Sequence, residues 1–326
     1  MSSTILIEEL TKDYAVGFWR KRPYRALDRL SLAIEQGEVF GFLGPNGAGK
    51  TTTLKLLMQL IFPTSGRAAI LGRPVGDVAV RRRIGYLPEN PYFYDYLTAE
   101  ELLTYFAQLL DVPAADRRQR VNRLLDRVGI GRERRFQLRK FSKGMIQRVG
   151  IAQALLNEPE VIFLDEPMSG LDPLGRKEVR SLILELRDQG RTVFFSSHIL
   201  ADAEALCSRV AIVAGGRLAA TGRLGELAEF EIRGWELVVN NLPAAALDRI
   251  RRATTRITEI GPGRYTLELP LTPAPETVIP EVARAGGSIV SLNPIRETLE
   301  DFFMRRIAEA GGGARVDGAG APHAAH

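Results

Sequence analysis

The sequence predicts an α/β fold built on a mainly parallel sheet, followed by a smaller α/β module. The chain has 326 residues, about twice a typical domain of roughly 150 residues, which favours two compact units. In the first 200 residues, four short apolar runs alternate with helical patterns. After residue 222 the alternation of strand and helix patterns starts again on a smaller scale.

The four apolar runs are interpreted as buried strands at 38–43, 84–87, 161–164 and 192–195. Helical spacing of apolar residues predicts helices at 51–61, 99–110, 117–128 and 174–189. The segment of about 90–158 is mostly helical, which indicates a helical subdomain inserted between strands. Because the carboxyl ends of parallel strands lie at one edge, the residues that follow them should converge on one crevice. These residues are Gly44 to Thr51, Glu89, Asp165, Glu166 and His198.

Beyond residue 222, strand patterns at 236–239, 265–269 and 288–292 and helical patterns at 244–252 and 276–285 predict a separate α/β module at about 223–310. A final helix places four apolar residues on one stripe, which faces a core or contacts a dimer partner or regulator. The stripe consists of Leu299, Phe302, Phe303 and Ile307. Residues 311–326 are predicted to be a disordered, flexible tail.

Composition places the chain among folded, water-soluble proteins. Hydrophobic residues are 45% and charged residues 25% of the chain, which excludes wholesale disorder and a collagen-like fibre. No stretch approaches the about 18 apolar residues of a membrane span, and no secretory signal is recognised. The single cysteine, Cys207, is interpreted as a buried structural thiol in a reducing cytoplasm.

The net charge of +5 comes from one local cluster. Residues 115–148 contain twelve Lys or Arg and three acids, +9, so the rest of the chain sums to −4. This distribution weakens a nucleic-acid interpretation. Helically spaced arginines in the cluster indicate either a solvated helix face or a contact with a partner or anionic lipid headgroups. They are Arg117, Arg120, Arg123 and Arg127.

A glycine-rich loop predicts a nucleotide phosphate site. It matches GxxxxGK[ST] between a predicted strand and a predicted helix, and it reads Gly44, Pro45, Asn46, Gly47, Ala48, Gly49, Lys50 and Thr51. Its glycines let backbone N–H groups curl around phosphate oxygens, and the helix adds the positive end of its dipole. Lys50 would reach the β and γ phosphates, and Thr51 would ligate Mg²⁺.

Two adjacent carboxylates end the third predicted strand. Placing two negative charges at the edge of an apolar strand costs free energy unless a bound cation or the activation of a water uses them. The other interpretation is a pair of solvated acids, which strand ends often carry. With the phosphate loop upstream, Asp165 suits the magnesium shell and Glu166 suits a general base for the attacking water.

Four segments in order, GPNGAGKTT, FSKGMIQR, VIFLDEPMSGLD and SSH, resemble the nucleotide-binding subunit of ATP-binding cassette (ABC) transporters. The resemblance covers about residues 4–222. It implies a P-loop NTPase core of the ABC ATPase type for 1–222, with a mainly parallel sheet, an antiparallel β edge and an inserted helical subdomain. It also implies ATP and Mg²⁺ as cofactors, with Thr52 added to the ATP-binding loop.

The resemblance assigns further roles by position. Ser142, Lys143, Gly144 and Met145 match the signature loop, which contacts the γ phosphate bound by a second subunit; taken alone, they indicate only a helix cap with Ser142 at its start. Ser169, Gly170, Leu171 and Asp172 match the loop that couples the two sites across the dimer, here called the coupling loop. His198 matches the histidine that contacts the γ phosphate and orients the catalytic carboxylate, Glu166.

Tyr14 matches the aromatic residue that stacks on adenine, with Tyr24 or Phe18 as substitutes and hydrophobic packing as the other interpretation. Two motifs depart from the common pattern. Lys143 and Met145 replace residues of the usual LSGGQ signature, and Glu89 stands where a glutamine is common. Both variants resemble a subgroup of bacterial exporter ATPases with a C-terminal accessory module. Glu89 then becomes a further candidate metal ligand beside Thr51 and Asp165.

The resemblance implies an ATPase that dimerises, as a homodimer, around two MgATP and drives a separate membrane permease, with export as the expected direction. The expected location is the cytoplasm, peripheral on the inner face of the cell membrane. One alternative is a nucleic-acid maintenance or translation ATPase of the same superfamily, but the long coiled-coil insertions or paired cassettes of that class are missing, so nucleic acid is not the expected partner. A nonhydrolysing ATP-gated adaptor is the other alternative.

Overall fold

The structure, a computed structural model, describes residues 3–17, 22–227, 232–272, 275–296 and 299–311. Phe18 and the predicted tail after Gly311 lie outside these residues. The chain divides into two compact units. The first reaches Leu224 and includes the last helix from Phe303, and the second is Gly225–Phe302. The accessory role assigned to 223–310 stays a prediction.

The first unit is built from strands and helices in alternation. Its strands are β1 (Ile5–Val16), β2 (Arg22–Ile34), β3 (Val39–Leu43), β4 (Ser65–Ile70), β5 (Arg73–Pro74), β6 (Ile84–Leu87), β7 (Val161–Asp165), β8 (Thr192–Ser197), β9 (Arg209–Ala214) and β10 (Arg217–Arg223). Its helices are α1 (Lys50–Leu57), α2 (Val78–Arg81), α3 (Ala99–Leu109), α4 (Ala114–Arg127), α5 (Lys143–Ala154), α6 (Pro173–Asp188) and α7 (Leu200–Leu206); the short α8 (Leu224–Leu227) follows at its end.

A six-stranded sheet of order β10-β9-β3-β8-β7-β6 forms the centre of the first unit. Its pairs are parallel except for β9 and β10, which pair antiparallel at one edge. A second, antiparallel sheet has the order β2-β1-β4-β5. The α/β fold with a mainly parallel sheet and an antiparallel edge is therefore confirmed. The four strands expected from apolar runs are β3, β6, β7 and β8.

The apolar runs became strands because the central sheet is covered on both faces. All five residues of β3 and of β7 are buried. The Phe194 ring lies 5.9 Å from the ring centroid of Phe40, 5.2 Å from that of Phe42 and 5.8 Å from that of Phe163. Burying each such ring contributes about 1.5–3 kcal/mol. This aromatic cluster holds together the three strands whose ends carry the phosphate loop, the acidic pair and the histidine.

Several strands were missed because their apolar pattern is interrupted. The pairing of β1 with β2 shifts register three times. Glu9 and Arg29 lie within these shifts with φ values of 51° and 50°, and such bulges break the alternation of period two that marks a half-buried strand. The result is an antiparallel sheet that no local pattern indicated.

The arginines of α4 make intrachain contacts that helical spacing alone did not indicate. The apolar face is buried as expected, through Val121, Leu124 and Leu125. The arginines also bind within the chain: Arg117 to the Val112 carbonyl, Arg120 to the Leu156 carbonyl, Arg123 to Glu158 and Arg127 to Glu185. These acceptors are up to 58 residues away in sequence, beyond the reach of a helical-periodicity argument. The Arg123 side chain is still 62% exposed, in agreement with the solvated interpretation for this residue, and a contact with a partner or lipid headgroups stays a prediction.

The second unit contains an antiparallel sheet of order β12-β13-β11-β14. Its elements are β11 (Ile232–Asn240), α9 (Ala244–Ile250), β12 (Arg256–Gly261), β13 (Arg264–Pro270), α10 (Ile279–Arg284) and β14 (Ser288–Arg296). Leu237, Leu267 and Val282 lie in its core. β12 was missed because most of its residues are exposed.

The last helix, α11 (Leu299–Gly311), contains all four residues of the expected apolar stripe. Phe302 and Phe303 are buried, at 7% and 8% exposure, in agreement with the core-facing interpretation of the stripe. Within the described residues, no helix combines the length and the apolar character that a membrane crossing requires.

Candidate nucleotide-binding site

The glycine-rich loop joins β3 to α1, and its backbone requires glycine at defined positions. Gly47 and Gly49 have φ values of 80° and 103°, which L-residues rarely adopt. A Cβ on Gly44 would lie 2.4 Å from the carbonyl oxygen of Val213. No side chain caps the start of α1, so the N–H groups of its first turn are available to an anion.

Lys50 is buried beneath this loop. Its Nζ donates to the carbonyl oxygen of Gly44 at 2.7 Å and to that of Pro45 at 3.2 Å. The same ammonium lies 3.2 Å from Glu166 Oε1. A phosphate bound in the loop would compete with these acceptors for the ammonium, because a multiply charged anion is its strongest available partner.

Asp165, the last residue of β7, is fully buried. Ser196 Oγ donates to its Oδ1 at 2.6 Å. Burial raises the pKa of Asp165; the hydroxyl groups of Ser196 and Thr51 lower it, and the charges of Glu89 and Glu166 raise it further. A neighbouring cation would oppose the effect of burial and favour the ionised carboxylate.

The residues here fit Mg²⁺ as the sequence predicts. Asp165 Oδ2 is buried and has no hydrogen-bond partner among the described residues, so an oxygen ligand is available beside the Thr51 hydroxyl. Groups of three or more His, Cys, Asp or Glu arranged around a metal are absent from the described part of the chain. Mg²⁺ itself prefers one or two carboxylates, with phosphate and water as its other ligands. Glu89 is exposed, and its role as a ligand stays a prediction.

Glu166 has a backbone conformation that suits a reactive position. Its φ is 48°, a left-handed value that is strained for a non-glycine residue and is often found at active sites. The Glu166 N–H donates to Ser196 Oγ at 3.0 Å. The side chain Oε2 lies 2.9 Å from His198 Nδ1, while Oε1 is the oxygen beside Lys50. Both carboxylate oxygens are therefore oriented by cationic or hydrogen-bonding neighbours.

The structure thus brings the phosphate loop, Thr51, Asp165, Glu166 and His198 to one edge of the sheet, as the strand order predicts. The signature loop is not part of this cluster. Within the described part of the chain, no hydrogen bond or ion pair joins the signature loop to Lys50, Asp165 or Glu166. The contact of the four signature residues with a phosphate stays a prediction.

The signature and coupling loops both begin helices. Ser142 caps α5 by accepting from the Met145 N–H at 3.2 Å, and Asp172 caps α6 by accepting from the Gly175 N–H at 2.9 Å. The Ser142 cap agrees with the helix-cap interpretation of the signature loop, and neither cap prevents its loop from having a second role. The two loops also adjoin: a Cβ on Gly170 would lie 2.9 Å from Lys143 Nζ, and one on Gly144 would lie 3.3 Å from Leu171 Cδ2.

Two of the three candidates for the adenine contact are tyrosines within the described residues. Tyr14 of β1 lies opposite Tyr24 of β2. The Lys12 ammonium lies 5.2 Å from the centre of the Tyr14 ring, and Tyr24 is 52% exposed. The third candidate, Phe18, is outside the described residues. Tyr14 stays the prediction.

Sequence reasoning assigned no role to two residues near this cluster. Ser196 lies in the SSH segment. Its Oγ donates to the Asp165 carboxylate and accepts from the Glu166 backbone N–H, because Asp165 and Ser196 are paired in register on β7 and β8. Asp202 is buried at 3% exposure on α7. The signal for Ser196 was its place two residues before His198, while that for Asp202 lies only in tertiary packing.

Comparison with known proteins gives consistent matches. The family model described as "ABC transporter" matches residues 27–169. An uncharacterised ABC transporter ATP-binding protein of Synechocystis sp. is 45% identical over 305 residues, covering 93% of this chain and 84% of that protein. The bacitracin transport ATP-binding protein BcrA of Bacillus licheniformis is 42% identical, covering 67% of this chain and 69% of the relative.

A solved structure gives a similar result. A dimeric ATP-binding cassette in a post-hydrolysis state, bound to ADP and Pi, superimposes with a TM-score of 0.62 at 27% identity, covering 68% of this chain and 98% of the other.

Proposed function

The chain belongs to the ABC transporter ATP-binding protein family, and on this basis we propose that it closes with a second copy around two MgATP and drives a separate membrane permease in export. As a member of this family the chain is an ATPase and the ATP-binding subunit of a transporter. The homodimer, the permease, the direction of transport and the site residues are the proposed parts.

One observation carries the proposal: Glu166 contacts both Lys50 of the phosphate loop and His198 at the end of β8. A carboxylate between a phosphate-binding ammonium and an imidazole is placed where a water attacking a γ phosphate would lie. This arrangement favours hydrolysis over the alternative of an adaptor that only binds ATP.

The chemistry assigns one task to each residue. Lys50 and the loop N–H groups hold the β and γ phosphates in line for attack. Glu166 accepts the proton of the attacking water, and His198 fixes the orientation of the Glu166 carboxylate through Nδ1. Mg²⁺, held by Thr51 and Asp165, would neutralise charge on the phosphate oxygens. Ser196 keeps both acids in place through its hydroxyl group.

A second copy supplies the part that one chain lacks. The signature loop at the start of α5 offers free N–H groups, the positive end of a helix dipole and the Lys143 ammonium, all suited to an anion. Because this loop makes no bond to the cluster of its own described chain, we propose that it contacts the γ phosphate bound by the partner. The similarity to a dimeric cassette supports this arrangement.

The permease contact is proposed at an aromatic segment. Tyr92, Tyr94 and Tyr96 follow Glu89 closely in the chain and are 99%, 54% and 61% exposed. Exposed tyrosines are typical of protein interfaces, where they provide large contact area and a hydrogen-bonding group. Because these tyrosines lie close to Glu89 in the chain, a permease bound to them would be linked through Glu89 to the part of the site that contains Asp165. Export as the direction rests on the resemblance of the signature loop and Glu89 to exporter ATPases, and the relative BcrA of Bacillus licheniformis is a bacitracin transport protein.

A nucleic-acid ATPase is less well supported. The four helically spaced arginines of the basic cluster form bonds to carbonyl groups and acids of this chain. Cytoplasmic attachment to the inner face of the membrane is proposed through the permease alone.

Affinity capture from detergent-solubilised membranes tests the partner. The Glu166→Gln variant, loaded with ATP, is expected to retain a polytopic membrane protein because the closed dimer persists without hydrolysis. A matched sample that also carries Tyr92→Ala and Tyr96→Ala should retain much less of that protein while binding ATP equally. Recovery of only soluble proteins or nucleic acid, with intact ATP binding, would contradict the transporter assignment.

A further inference from the structure

Asp202 is a buried carboxylate that the proposed reaction does not use. It lies in the first turn of α7, four residues after His198, and is 3% exposed. A carboxyl group in such a place is costly unless charged or polar neighbours compensate it. Its neighbours therefore indicate what the position does.

Two guanidinium groups of α6 flank this carboxylate. Arg176 NH1 is 3.9 Å and Arg180 NH2 is 3.8 Å from Asp202 Oδ1. Both distances are ion-pair contacts and are too long for hydrogen bonds. The pairing is therefore electrostatic, and small movements of α6 or α7 change it without breaking a fixed hydrogen-bond geometry.

Arg176 also reaches the coupling loop. Its Nε donates to the carbonyl oxygen of Leu171 at 3.4 Å, and α6 itself begins at the Asp172 cap. A continuous series of contacts thus runs from the Leu171 carbonyl through Arg176 to Asp202, on the helix that follows His198.

The field of Asp202 reaches the catalytic pair. Burial raises the pKa of Asp202, and the charges of Arg176 and Arg180 lower this pKa. The charge of Glu166 raises the same pKa, and His198 lowers it. The carboxylate therefore interacts electrostatically with both members of the Glu166 and His198 contact, as well as with the two arginines.

We propose that Asp202 and Arg176 are a pair of positioning residues that links the coupling loop to His198, so that the contact of His198 with Glu166 depends on where the coupling loop lies. This inference rests on the proposed two-copy function, in which the coupling loop faces the partner. The pair touches neither nucleotide nor attacking water, and it acts through the start of α7. A signal from one nucleotide site thereby has a physical route to the histidine of the other.

Steady-state hydrolysis by the purified full-length chain tests the pair. Asp202→Asn and Arg176→Gln are each expected to lower kcat at least about tenfold and to change KM for ATP less than about twofold, because phosphate binding is left intact. The double variant should be no slower than the slower single variant, since both changes break one link. Asp202→Glu should recover part of kcat. Glu204→Gln, an exposed acid on the same helix, should match the unsubstituted protein.

The outcomes separate this inference from the proposed function. An unsubstituted chain that fails to hydrolyse ATP contradicts the proposed function. An active chain with kcat of Asp202→Asn within twofold, or a double variant whose loss equals the product of the single losses, overturns the positioning pair. If Asp202→Asn does not fold, Arg176→Gln decides, because that side chain is 31% exposed and tolerates replacement; kcat within twofold then overturns the inference.

Discussion

Replacing Glu166 by glutamine is expected to lower kcat for ATP hydrolysis about 10²- to 10⁴-fold, the usual contribution of a positioned general base. Glutamine keeps the shape of the side chain and its contact with His198, but it cannot accept the proton of an attacking water. ATP affinity should change little, because the phosphate loop and Thr51 are untouched.

Phosphate release under saturating ATP measures this loss, and ATP binding is followed separately by isothermal titration. Glu204→Gln, an exposed acid of α7, is the matched control and should keep full activity. A Glu166→Gln protein that hydrolyses ATP within threefold of the unsubstituted rate would remove Glu166 from the reaction.

Replacing Phe194 by alanine is expected to lower the free energy of unfolding of the first unit by about 3–5 kcal/mol. The Phe194 ring packs on Phe40, Phe42 and Phe163. Its loss leaves a cavity among three central strands that cannot close without moving their backbones.

Urea unfolding followed by circular dichroism measures the change as a shifted midpoint of the transition of the first unit. Phe62→Ala is the control, because Phe62 is 68% exposed and its removal should change stability by less than about 0.5 kcal/mol. If the two variants were equally stable, the aromatic cluster would not be the core that holds the site together.

The central sheet and the phosphate loop were predictable because their signals are local. β3, β6, β7 and β8 are short apolar runs, and runs buried on both faces have few other interpretations. The crevice followed from the rule that parallel strands end together. That rule predicts that Glu166 and His198 lie near each other, and the 2.9 Å contact agrees with it.

The remaining features depend on distant parts of the chain. Ser196 contacts Asp165 only because two strands pair in one register among several. The partners of Arg123 and Arg127 lie 35 and 58 residues away, so helical spacing could not indicate these ion pairs. Asp202 is an ordinary helix residue in sequence, and only burial against α6 makes it informative.

The central claim is that each copy of this chain completes the nucleotide site of the other through the γ phosphate. Light scattering of the Glu166→Gln variant tests it most directly, with saturating MgATP in one sample and MgADP in the other. The account predicts the mass of two chains with MgATP and of one chain with MgADP. A single chain that holds MgATP, or the same mass with both nucleotides, would contradict it.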